Sequence, residues 1–175
     1  MKMTWITAAA LMVAASAFAQ STTEKTGINS LMGVAPSTED FIMQAAASDM
    51  FEIESSNLAV ARTADTTKTF AEQMIADHTK TSTELKTMLQ DSPLKASIPP
   101  TMSSAQQAML DELKNLNGEQ FLDQYHQDQA AVHKDAVDLF DRYSKEGENV
   151  ELKTWAAKTL PALQHHLMMA QDMDK

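Results

Sequence analysis

The sequence has 175 residues, 24 acidic and 14 basic, for a net charge of −10, and it contains no cysteine. That length suits one domain with a real core. The acidic balance repels a polyanion such as DNA, no basic stripe offsets it, and disulfides and thiolate metal sites are excluded.

Residues 1–19 read as a secretory signal peptide. Lys2 supplies the positive start and Trp5 to Ala17 a small apolar run. Ala17-Phe18-Ala19 fits the small-x-small pattern before a cleavage point, which makes Gln20 the mature N-terminus. The run is too short for a comfortable membrane span, and no later stretch approaches one. The expected compartment is therefore the periplasm or the exterior. Cleavage after Ala19 takes away Lys2 and no acid, leaving 13 basic against 24 acidic residues and a net charge of −11. Trp155 is then the one remaining tryptophan.

Residues 20–36 mix Ser, Thr, Gly and Asn without periodicity and read as a mobile tail; the domain proper is expected over 37–175. Ser37 is a good N-cap for a first long helix, and Glu39 and Asp40 suit the positive end of its dipole. Its inward stripe runs Phe41, Ala45, Ser48/Asp49, Glu52, Ser56, Ala59. A turn falls near 62–67, with Asp65 or Thr66 able to cap a second helix whose inward face carries Phe70, Met74, His78, Thr81, Leu85 and Met88/Leu89. The Thr-rich run from Thr79 to Thr87 reads as a solvated face with local backbone bonds.

Pro93, Pro99 and Pro100 break the helix over 91–102, which reads as a crossover. A short helix from about Ser103 to Leu116 follows, with Met109, Leu113 and Leu116 as its apolar side. A third long helix spans Glu119 to Lys145, facing inward with Leu122, Tyr125/His126, Gln129, His133, Ala136/Val137 and Phe140. Gly147 is placed as the glycine just past its end. The fourth, from about Glu148 to Met173, turns Leu152, Ala156, Leu163, His166 and Ala170 inward, and Pro161 is expected to kink it. Two helical hairpins joined by a Pro-containing crossover, with a short extra helix, predict an all-α four-helix bundle.

Each long helix offers one inward polar residue of metal-ligand type: Glu52, His78, His133 and His166. Glu52 lies about 12 residues before the first hairpin turn and His78 about 14 after it, within roughly a helical turn of the same height. His133 and His166 flank the second turn with a mismatch of about three residues, roughly 4.5 Å. Three imidazoles and a carboxylate suit one transition-metal ion, Zn, Fe, Cu or Ni. Asp49, one turn from Glu52, and Asp77, beside His78, are placed to accept an imidazole N–H. In the competing reading these groups only hydrogen-bond across the bundle and fix helix register.

His165-His166 with Met168-Met169 suggests soft-ligand copper chemistry, but adjacent helical residues point about 100° apart and cannot all meet one ion. Methionine stripes are more often adaptable core. His126 is expected at the bundle edge, partly exposed. No nucleophile elbow or glycine-rich turn supports Ser/His/Asp catalysis, so the sequence assigns no reaction.

The stretch FIMQAAASDMFEIESSNLAVARTADTTKTFAEQMIADHTKTSTEL, with His133 and Leu160-Pro161-Ala162-Leu163-Gln164-His165-His166-Leu167, resembles a bacterial family of unknown function often labelled "predicted outer membrane protein". The likeness covers about Thr38 to Gln171. It implies a ferritin-like helical bundle in the periplasm rather than a β-barrel, and no established activity. Di-iron members of the wider ferritin-like group place Glu-x-x-His on two helices. Here Ile75, Ala130 and Leu163 stand three residues before the histidines, so a mononuclear, histidine-rich site fits better. The leading expectation is an exported metal-binding module. Its rival is a structural or interaction protein that meets an unknown partner at the cell envelope.

Overall fold

The computed structural model describes residues 21–90, 94 and 96–175, without the side chain of Lys25. The expected leader, Gln20 and Pro93 lie outside them. Among the described residues the chain is all-helical, without strands. Two short helices, α1 (Thr22–Lys25) and α2 (Ile28–Met32), precede α3 (Thr38–Arg62) and α4 (Asp65–Gln90). The short α5 (Ser104–Asn115) leads to α6 (Gly118–Glu146) and α7 (Val150–Met173). None of these helices is long and apolar enough to cross a membrane.

Helices α3, α5 and α7 start at residues whose side chains cap them. The Ser37 hydroxyl accepts from the Asp40 N–H, Asn149 caps Leu152, and Ser103 forms a reciprocal capping box with Gln106. Past α6, Gly147 is not left-handed as the C-cap reading expects; its φ is −57°. Its reason is a close approach, since a Cβ there would sit 2.6 Å from the Tyr143 ring. Helix α7 runs on through Pro161. Both Pro161 and Ala157, whose carbonyl loses its donor, are exposed, so water can satisfy the freed oxygen.

Helices α3 and α4 form one hairpin and α6 and α7 the other. The pairs then meet in antiparallel register. Thr38 and Tyr143 share a 2.8 Å bond near one end of α3 and α6, and Ser56 and Tyr125 a 2.9 Å bond further along. Asp77 meets His166, and Glu84 accepts the Trp155 indole N–H, between α4 and α7. The connection after α4 returns the chain to the Arg62 end. There the Arg62 guanidinium bonds the carbonyls of Leu113, Lys114 and Leu116 at the end of α5 and lies 5.1 Å over Phe121.

Two apolar clusters fill the interior. One gathers Phe41, Leu85, Phe140, Tyr143, Leu152 and Trp155, the other Phe51, Phe70, Met74, Leu113, Phe121 and Tyr125. Along α4, α6 and α7 the switch from one cluster to the other happens at a histidine: His78, His133 and His166. The polar layer is therefore sealed above and below by hydrocarbon.

The segment expected to be a mobile tail carries α1 and α2 and is pinned to the helices. Glu24, buried, receives two bonds from Arg142, at 2.8 and 3.4 Å, and one each from Asn29 and Gln44. Arg142 also donates to the Val34 carbonyl and to Asp138, and the Ser21 N–H donates to Asp40.

Candidate metal centre

Glu52 from α3, His78 from α4, His133 from α6 and His166 from α7 are all essentially inaccessible to solvent, none more than 2 % exposed. The three imidazoles form one compact group, with ring centroids 5.4 to 5.7 Å apart. One ring nitrogen of each lies within 4.8 Å of one nitrogen of the other two. Nitrogens bonded to a shared ion at about 2 Å are at most about 4 Å apart, so small ring rotations close the gap. These three buried histidines can hold a metal ion. Glu52 stands slightly aside: its Oε1 is 3.6 Å from His133 Nδ1, too long for a hydrogen bond, and the compact group is three histidines rather than four ligands.

Each imidazole is oriented by its outward nitrogen. His78 Nδ1 lies 2.8 Å from Asp49 Oδ1, His166 Nε2 3.0 Å from Asp77 Oδ2, and His133 Nδ1 2.9 Å from the Gln129 carbonyl one turn back. Asp49 is itself held by hydroxyl donors from Thr81 and Ser82. The other nitrogens, His78 Nε2, His133 Nε2 and His166 Nδ1, are buried without a partner, as are both oxygens of Glu52. Stranding a buried acceptor costs about 1–3 kcal/mol, and native interiors rarely leave several together. The hydrogen bonding thus fixes ring direction on the outside and leaves lone pairs free on the inside, as metal-binding histidines require.

Burial sets the charge state. It pulls His133 down to about 3, reinforced by the field of His78, and His166 down to about 4, reinforced by His133 and His78. Both are neutral near pH 7 and ready to ligate. Burial alone would also lower His78, but its bond to Asp49 and the charges of Glu52, Asp49 and Asp77 outweigh it and raise it. Glu52 is pushed up to about 7 by burial, against the opposing field of His78. A cation would displace the proton of Glu52.

The remaining expected residues are not drawn in. His165 is exposed, Met168 is exposed, and neither joins the imidazole group. His126 is half-buried at the edge of α6 and bonds the Thr67 hydroxyl at 2.9 Å. In the Thr-rich run, Thr83 and Thr87 make the expected bonds one turn back, whereas Thr81 reaches inward to Asp49. The sequence reading missed Gln129 as the anchor of His133, the Ser55 hydroxyl that receives the Gln129 amide, and buried Asp128, raised to about 6 by burial. Gln129 lay on the inward stripe one turn before His133, which was the available signal; nothing local marks Asp128.

An all-helical domain with a buried three-histidine group able to hold a metal ion is the class that fold and site define. The chain belongs to the family described as a domain of unknown function, DUF4142, whose profile matches residues 11–173. No curated protein and no solved structure matches it.

Proposed function

We propose that the protein is an exported, ferritin-like four-helix bundle that holds one transition-metal ion through His78, His133 and His166. Glu52 serves as fourth ligand and counter-charge, and Asp49 and Asp77 fix the rings. Export rests on the leader-like residues 1–19, with cleavage after Ala19 and a periplasmic or secreted destination. The observation that carries the metal reading is the set of three ring nitrogens, one on each converging histidine, buried without a hydrogen bond. A neutral His-rich donor set of this kind suits Zn, Fe, Cu or Ni.

One observation favours a second reading. Asp49 accepts from His78, Thr81 and Ser82 and so fastens α3 to α4, as a purely structural network at the cell envelope would. Such a network, however, has no use for unpartnered nitrogens on all three rings. Elemental analysis of untagged protein, loaded in turn with each of the four metals and desalted, separates the two. The metal reading expects close to one ion per chain for at least one metal; no retained ion with any of them returns the site to the structural reading.

A further inference from the structure

Resting on the metal reading above, we propose that the ion reaches and leaves the histidines through one cavity between α4 and α7, with Asp77 as the carboxylate that first takes it up. The three outward anchors of the rings differ in access. The Gln129 carbonyl belongs to a fully buried residue and the Asp49 side chain is 8 % exposed, whereas the Asp77 side chain is 43 % exposed. Asp77 is thus by far the most exposed of the three anchors, and it touches His166 directly.

The cavity lies at that point. It has a volume of about 90 Å³ and opens between α4 and α7, lined by Asp77, His78 and His166 together with Lys80, Lys158 and Ala162. That is room for several waters, enough to carry a partly hydrated ion. Thr159, itself buried, also lines the cavity. Asp77 and Glu84 balance the two lysines of the lining, Lys80 and Lys158. At the inner end, His166 presents Nε2 to Asp77 and unpartnered Nδ1 to the interior. An ion held by Asp77 at the cavity needs only the movement of His166 to pass inward.

The test uses the whole chain and Co²⁺, whose visible spectrum reports its ligand field. Ala162→Trp and Lys158→Trp, at exposed positions one turn apart, fill the passage from outside without touching any ligand. A barrier placed on the route slows both directions by the same factor. Each variant is therefore expected to take up Co²⁺, and to lose it to excess chelator, about an order of magnitude more slowly than the parent chain, with the same final spectrum and the same affinity. Asp77→Asn is expected to slow uptake as well. Uptake and loss at the parental rate in both tryptophan variants, with the ion bound, would overturn this route and leave the metal reading standing. A parent chain that takes up no Co²⁺, Zn²⁺, Ni²⁺, Cu²⁺ or Fe²⁺ would overturn both.

Discussion

Two buried polar clusters in this molecule handle charge in opposite ways. At the N-terminal clasp, Glu24 and Arg142 meet 2.8 Å apart, and Asn29, Gln44, Asp138 and the Val34 carbonyl add four further bonds to the pair. At mid-height, Glu52, His78, His133 and His166 are as deeply buried, yet five of their polar atoms have no partner. A saturated cluster is what structural burial of charge demands, because every unmade bond subtracts from a small net stability. A cluster that is saturated on its outer side and open on its inner side is held ready for something else. The difference separates a fastened cluster from one that could hold an ion.

The sharpest way to break that comparison is to remove one member from each side. His133→Ala is expected to abolish metal loading while the metal-free chain still folds, read by elemental analysis and circular dichroism. Arg142→Ala should do the reverse. It strands Glu24 in a buried site and is expected to lower unfolding free energy by about 3 kcal/mol in urea titration, with metal stoichiometry unchanged. If Arg142→Ala reduced loading as strongly as His133→Ala, the two clusters would not be separate.

A smaller effect should follow from loosening an anchor. Asp49→Ala removes the acceptor of the His78 ring and of Thr81 and Ser82, and is expected to weaken metal affinity by about 10–100-fold without eliminating binding. Competition with a chromophoric chelator measures it.

Acidity distinguishes the clusters further. His133 and His166 titrate in the folded chain near 3 and 4, below their ordinary 6.5, so the unfolded chain takes protons first. Their contribution to stability is complete above pH 6.5 and drains away as pH falls toward those values. Glu52, raised from 4.5 to about 7, acts the other way: its contribution is present below 4.5 and lost as pH rises through 7. A bound cation removes that loss by replacing the Glu52 proton. The gain in Tm on adding metal is therefore expected to increase from about pH 5 to about pH 8, as ligand protons become easier to displace. At the clasp, burial works to raise Glu24, but the bonds from Arg142, Asn29 and Gln44 win and hold it below its usual 4.5. Its contribution is lost only as pH falls below 4.5, with or without metal. Least of all, Ser37→Ala should cost about 1 kcal/mol through the lost α3 cap and leave loading untouched.

Much of this was legible in the sequence because helices repeat. The inward stripes of the four long helices put His78, His133 and His166 at one depth, and counting residues from the hairpin turns was enough to bring them together. Asp49 and Asp77 were legible for the same reason, each about one turn or one residue from a stripe position. What did not show was long-range and aperiodic. Glu24 and Arg142 are 118 residues apart, and a single buried anchor leaves no pattern in a stretch of Ser, Thr, Gly and Asn, so the segment around it read as a tail. Glu52 showed its depth but not its sidewise position, because the helical repeat gives height and face and not the rotamer. Gly147 illustrates the same limit: the helix end was readable, and the reason for the glycine, the Tyr143 ring folded against it, was not.

The central claim is that the open cluster binds one ion. Native mass spectrometry of the untagged chain, titrated with Zn²⁺, Cu²⁺, Ni²⁺ and Fe²⁺ in parallel with His133→Ala, tests it most directly. The account predicts a single-ion adduct that saturates for the parent chain and is missing from the variant. Equal adduct patterns in the two chains, or none in the parent, would contradict it.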